Sequence, residues 1–305
     1  MHDRRQFIQS AAAGLALGMA PLARLHAAAA PLFSISLAQW SLNRALFGGE
    51  LDSLDFPVVA SQSFGIEAVE YVNQFFMDKA RDRGYLTQLK RRCDDHGVRS
   101  LLIMCDREGD LGDPDAAERS RAVENHYKWV EAAQFLGCHS IRVNAASSGS
   151  WAEQRDYAAD GLRRLSEFGA EHGLNVIVEN HGGLSSNGQW LAEVIRAVGR
   201  DNCGTLPDFG NFTIAPGEEY DRYHGVRELM PFARGVSAKS YGFDGEGNES
   251  RIDYRRMLRI VLDAGYRGHL GVEWEGREPG EMEGIRLTKA LLERIRDELA
   301  DEYGA

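Results

Sequence analysis

Three stretches of this chain end an apolar run on a carboxylate. Asn175-Val-Ile-Val-Glu179 continues into Asn180, His181 and two glycines; Thr205-Leu-Pro-Asp208 into Phe-Gly-Asn211; Leu270-Gly-Val-Glu273 into Trp274 and Glu275. A parallel strand covered on both faces reads as a nearly continuous apolar run, so its first acidic side chain marks where packing gives way to chemistry. Three strand-end carboxylates at one mouth need a cation. Oxygen donors with water positions left open suit a hard divalent ion, Mg²⁺ or Mn²⁺, which makes Glu179, Asp208 and Glu273 the candidate metal ligands.

Such ligands must be carried by repeated strands. Hydrophobic periodicity predicts strands over 33–42, 66–73, 99–105, 140–144, 175–180, 204–208, 235–240 and 269–274. Helices are predicted over 56–64, 85–96, 116–136, within 151–172, and over 189–198, 223–232, 254–264 and 284–299, several closed by a glycine that takes the left-handed cap. Eight strands alternating with eight helices is the count of a single closed parallel barrel, an α/β fold. A doubly wound sheet would want a glycine-rich phosphate turn after the first strand, and 41–44 (Ser-Leu-Asn-Arg) offers none.

Alternate residues of a strand share a face. Arg142 with Asn144, Ser237 with Lys239 and Glu273 with Glu275 therefore point together, and with Glu70, Glu179 and Asp208 they form a mostly acidic crown expected at the C-terminal mouth. Lys239 has two readings: a group that stabilises charge during catalysis, or an ion-pair partner that neutralises the carboxylates without metal. His181 is a candidate substrate contact. Trp40 and Trp274, at strand ends, are candidates to pack an aromatic face on the apolar face of a bound substrate.

The 305 residues are 43% hydrophobic and carry a net charge of −11. The first thirty hold Arg4, Arg5 and Arg24 against Asp3, so the remainder stands at −13 (−11 minus +2). An acidic body without a basic run argues against nucleic acid and anionic membrane partners. The four cysteines form no C-x-x-C pair and read as small buried hydrophobes. Residues 1–30 combine Arg4-Arg5-x-Phe7, a short apolar stretch and an alanine-rich end. They resemble a twin-arginine export signal, which implies a periplasmic or otherwise exported barrel at 31–305 with no stable membrane insertion.

Val-Glu-Tyr at 69–71, Val-Glu-Asn-His at 178–181, Pro-Asp-Phe-Gly-Asn at 207–211 and Gly-Val-Glu-Trp-Glu at 271–275 resemble the xylose-isomerase-like superfamily of sugar isomerases, epimerases and endonuclease IV, over essentially 33–299. The resemblance implies a metal held by Glu179, Asp208 and Glu273, with the two glutamates acting as base and acid. It departs at Ser237, which stands where the family often has a ligand histidine, and at Asn211, which replaces a histidine of some relatives. A fourth ligand would then be water, a serine hydroxyl, His181 or His224. The endonuclease branch would call for clustered histidines and a basic face, both missing. The expected function is a metal-dependent isomerase or epimerase that moves a proton next to the carbonyl of a non-phosphorylated sugar or glycoside. Elimination from a keto-glycoside and a non-catalytic sugar-binding barrel are the alternatives, and self-association is left open.

Overall fold

The computed structural model describes residues 31–304. The segment read as an export signal, and Ala305, lie outside the described residues. Strand β1 (Ser34–Ala38) is followed by helices α1 (Asn43–Phe47) and α2 (Phe56–Phe64), then β2 (Ala68–Val72), α3 (Arg83–Asp95), β3 (Arg99–Met104), α4 (Ala116–Leu136), β4 (Ser140–Val143), α5 (Trp151–Glu171), β5 (Asn175–Glu179), α6 (Gly188–Val198) and β6 (Cys203–Leu206). A small antiparallel hairpin, β7 (Thr213–Ala215) and β8 (Glu218–Glu219), precedes α7 (Arg222–Leu229), β9 (Val236–Ser240), α8 (Tyr254–Asp263), β10 (His269–Trp274), α9 (Glu281–Glu298) and α10 (Ala300–Tyr303).

Eight strands pair in the order β6-β5-β4-β3-β2-β1-β10-β9, parallel at every junction. The remaining seam, β6 to β9, is closed by isolated parallel bridges, Thr205 to Ala233 and Asp208 to Ser237. Pro207 supplies no N–H there, so the ladder continues through its carbonyl, which accepts from Ser237 N at 2.9 Å. The expected (β/α)8 barrel is therefore present, and its last seam runs through the carboxylate site.

Helix ends follow local chemistry. Asp82, Asp115, Ser150, Asn187, Asp221 and Asp253 each accept a backbone N–H at a helix start, Ser150 with Glu153 as a reciprocal capping box. Gly137 closes α4 at φ 81°, a left-handed cap that a side chain would strain. The main core lies between sheet and helices, while a smaller apolar plug of Ala38, Val72, Leu102, Met104, Ile177 and Leu206 fills the barrel. All four cysteines are buried and free.

Two expectations are corrected. The first strand stops at Ala38 instead of 42, because polar side chains redirect the chain: Gln39 accepts from Val72 N at 2.9 Å and donates to Ser53, and Ser41 bridges Val272 O and Trp274 N at 3.0 and 2.9 Å. The β7–β8 hairpin lies in a segment too short and polar to announce a strand pair.

Candidate active site in the barrel mouth

Glu179 ends β5, Asp208 follows β6 and Glu273 lies on β10. The three are fully or nearly fully buried, and one oxygen from each lies within 4.8 Å of the others. They form the acidic triad of the mouth.

Lys239 enters from β9. Its Nζ lies 3.2 Å from Glu273 Oε1, 3.6 Å from Asp208 Oδ2 and 3.4 Å from Glu275 Oε1, and it donates to Asn211 Oδ1 at 3.1 Å. Ser237, two residues earlier on the same face, places Oγ 2.7 Å from Asp208 Oδ2 and 2.8 Å from Glu273 Oε2. One hydroxyl proton can serve only one of these oxygens at a time. Asp208 Oδ1 accepts the backbone N–H groups of Gly210 and Asn211 at 2.7 and 2.9 Å, and Asn211 Nδ2 donates to Glu179 Oε1 at 3.1 Å. On the opposite wall Arg142 Nη2 lies 2.7 Å from Glu179 Oε2, too poorly aligned for a hydrogen bond, and Nη1 binds Asp106 Oδ1 at 2.8 Å.

Burial pushes Glu179 and Asp208 up, each to about 7, against the opposing pull of Arg142 on the first and Lys239 on the second. Glu273 is equally buried, yet Lys239, Ser237 and Arg142 outweigh desolvation and hold it below the usual carboxylate range. Asp106 behaves likewise: burial would raise it, but Arg142, Gln74 and Asn144 bring it to about 2. His181 is exposed by surface area and still depressed, by desolvation at the pocket wall and by repulsion from Arg142 and Lys239.

The residues fit a hard divalent cation. When all three are ionised, the triad carries three negative charges against the Lys239 ammonium and an Arg142 guanidinium shared with Asp106, which leaves at least one (three minus two) uncompensated in a buried site. Glu179 Oε2 is a buried oxygen without a hydrogen bond. Of the fourth ligands considered, Ser237 lies within the triad, and His224 is occupied elsewhere, 3.1 Å from Glu228 on the outside of α7.

The other expected residues divide. Trp40 lines the mouth, its Nε1 bound to Glu275 Oε1 at 2.8 Å, beside a cavity of about 310 Å³ that Arg142, His181, Glu273 and Glu275 also line. Asn144 reaches the mouth indirectly, donating to Asp106 at 3.0 Å. Trp274 does not face the cavity. Next to inward-facing Glu273 it must point outward, where its ring stacks on Phe243 at 5.7 Å and leaves no room for a Cβ at Gly284 or Gly276.

Glu70 is also absent from the rim. It faces into the barrel one layer below the triad, accepts from Ser36 Oγ at 2.6 Å and lies so close to Gly271 that a Cβ there would come 2.7 Å from its carboxylate oxygens. The acidic residue on β2 arrives mid-strand, before Tyr71 and Val72, so the strand-end argument does not apply to it.

Sequence reasoning misses Asp106, Gln74 and Arg107. A signal for Asp106 is present, since Leu101-Leu-Ile-Met-Cys-Asp106 is another apolar run ending in a carboxylate. Arg107 lines the cavity with φ 61°, a left-handed backbone that non-glycine residues adopt at a cost of about 1 kcal/mol. It adds a third cation to the mouth beside Arg142 and Lys239.

Comparison with known proteins agrees with this architecture. An L-ribulose 3-epimerase structure superposes with a TM-score of 0.70 at 18% identity, over 90% of this chain and 98% of its own. A zinc-bound IOLI protein gives 0.68 at 13%, over 87% and 99%. Among curated sequences, a C-glycoside deglycosidase alpha subunit of Arthrobacter globiformis is 35% identical over 99 residues, covering 30% of this chain and 26% of the relative. A 3'-dehydrocarminate deglycosidase alpha subunit of a Microbacterium species is 35% identical over 82 residues, 25% and 23% of the two chains. The chain thus matches about a quarter of the length of these deglycosidase subunits. A putative hydroxypyruvate isomerase of Mus musculus is 23% identical over 65% of this chain and 77% of its own. The family model described as xylose isomerase-like TIM barrel matches residues 58–297, and the chain belongs to that family.

Proposed function

We propose that this protein is an enzyme that moves a proton on the carbon next to the carbonyl of a non-phosphorylated sugar, as an isomerase or epimerase. The observation that carries the reading is the placement of Glu179 and Glu273, two buried carboxyl groups brought within 4.8 Å from β5 and β10, with Lys239 beside Glu273. One carboxylate takes the carbon-bound proton; the C–H pair moves into a carbon–carbon double bond, and the carbonyl oxygen gains negative charge near the Lys239 ammonium. The second carboxyl group returns a proton to the opposite face of the same carbon, which epimerises the sugar, or to the former carbonyl carbon once the adjacent hydroxyl has passed its proton to the former carbonyl oxygen, which isomerises it. Arg142 orients Glu179, and Ser237 orients Asp208 and Glu273. A divalent ion bound by Glu179, Asp208 and Glu273 would supply Lewis acidity for the reacting oxygen.

The mouth keeps more carboxylates than cations even with Arg107. That balance disfavours sugar phosphates.

The 35% identity to the two deglycosidase subunits favours a second outcome from the same first step. The electron pair left by the proton expels a β-linked substituent, which departs with a proton and leaves an unsaturated ketone. Incubation with ketoses and keto-glycosides in D₂O, followed by NMR, separates these readings. An isomerised or epimerised product, with its carbon-bound proton exchanged for deuterium or transferred internally, marks the isomerase or epimerase, and a released aglycone marks elimination. Sugar binding with neither conversion nor release would overturn both in favour of a binding barrel. Export through the twin-arginine route belongs to the same proposal; N-terminal sequencing of the secreted protein should begin near 28–30.

A further inference from the structure

The cavity lining mixes the charged and polar groups of Arg142, His181 and Glu273 with the apolar ones of Trp40, Val72 and Met104. From Trp40 an aromatic surface continues outward. Trp40 meets Phe75 with ring centroids 6.0 Å apart and Phe47 edge-on at 6.1 Å, and Phe47 meets Phe75 at 4.9 Å. Gln74 lies between the cavity and this aromatic rim, lining both.

Phe47 is 58% exposed, and among the described residues only one other large hydrophobic side chain, Met282 at 37%, is exposed to solvent. Both lie along one seam of the mouth, because Glu281 accepts the backbone N–H groups of Arg44 and Ala45 at 2.7 and 3.2 Å and so ties the start of α9 to α1. A lone exposed ring is ordinary, but Phe47 adjoins Phe75 and Trp40, and such contiguous aromatic area at a cavity mouth is what an apolar ligand group can cover. The Trp40 ring is fixed in turn by its hydrogen bond to Glu275, the carboxylate that also faces Lys239.

We propose that Trp40, Phe47 and Phe75 form a subsite for a flat apolar aglycone, so that the substrate class is a sugar carrying an aromatic substituent. The inference rests on the reading of the adjoining cavity as a sugar site. The sugar ring lies near Glu179 and Glu273, and the substituent leaves the cavity past Gln74 and stacks on the rim. Aromatic faces set at such angles accept a planar ring by offset or edge contact.

Calorimetric titration with 4-nitrophenyl β-D-glucopyranoside and with D-glucose, on wild type and on Phe47→Ala, tests this. Wild type should bind the aryl glycoside at least tenfold more tightly than glucose. Phe47→Ala should lose about tenfold for the glycoside and less than twofold for glucose, as expected for one lost aromatic contact at an open site. Equal affinity of wild type for the two probes, or an equal loss for both in the variant, overturns the subsite and leaves the sugar reading standing. Binding of neither probe overturns the subsite and leaves the sugar reading to the assay with ketoses and keto-glycosides. A dimer in sedimentation that Phe47→Ala dissociates, with glycoside affinity unchanged, would assign Phe47 to a second copy of the chain and overturn the proposal.

Discussion

Glu70 and the triad of Glu179, Asp208 and Glu273 occupy neighbouring layers of one barrel interior, yet their surroundings differ in kind. Each triad carboxylate has a cation within 4 Å, Arg142 for Glu179 and Lys239 for Asp208 and Glu273, and the group opens on the mouth cavity. Glu70 has Ser36 on one oxygen, nothing on the other, and no cation within salt-bridge distance among the described residues. Burial raises it to about 7, with Glu273 and Glu179 adding repulsion. A strand-end carboxylate is placed to act on a ligand; a mid-strand one, one layer lower, is a cost the fold carries.

The largest test of this contrast is catalytic. Glu179→Gln should lower kcat/KM by on the order of 10³-fold, the scale of a lost proton-transfer group, with the fold retained. Glu70→Gln should leave kcat/KM within about fivefold on the same basis. Comparable losses in both variants would remove the distinction.

Next comes charge compensation. Lys239→Met leaves buried carboxylates without their ammonium and should lower unfolding stability in EDTA by about 3 kcal/mol. Added Mn²⁺ should recover part of that loss by binding the native triad. If denaturation midpoints in EDTA do not move, Lys239 does not compensate the triad.

Replacing Glu70 should change stability in the opposite direction to replacing Lys239, and with a pH dependence. The native Glu70 pKa of about 7 stands above the ordinary 4.5, so the native state keeps a proton that the unfolded chain has released. The stabilising proton is fully present below pH 4.5 and lost as pH rises through 7. Glu70→Gln should therefore stabilise the protein at about pH 8 by up to about 3 kcal/mol and do little at about pH 4.5, as read from denaturant titrations.

The smallest effect concerns packing around the same side chain. Gly271→Ala drives a methyl group against the Glu70 carboxylate and should cost about 1 to 2 kcal/mol. Combining it with Glu70→Ala should remove most of that cost, and simple additivity of the two changes would mean that the contact does not matter.

Much of this site is legible in the order of the amino acids. Apolar runs ending at Glu179, Asp208 and Glu273 announce the three residues that meet within 4.8 Å, and period-two alternation pairs Ser237 with Lys239. Asp106 carries the same signature, and its partnership with Arg142 is visible only when β3 and β4 lie side by side. Glu70 and Trp274 escape sequence reasoning for related reasons. The carboxylate of Glu70 sits in the middle of β2 and not at its end, and the indole of Trp274, next to an inward-facing glutamate, takes the opposite direction.

The sequence alone determined the eight barrel strands and the eight helices between them, though not the β7–β8 hairpin or the short helices α1 and α10, together with several glycine caps and the acidic character of the mouth, because these depend on periodicity and local hydrogen bonding within a few residues. Tertiary structure decided which cation meets which carboxylate, that Lys239 reaches three of them while Arg142 is divided between Glu179 and Asp106, and that Phe47 and Trp40 share a rim. Those outcomes depend on register and layer depth around a closed barrel. Both are set by pairings between residues far apart in the chain, down to the bridge between Asp208 and Ser237 that brings β6 to β9.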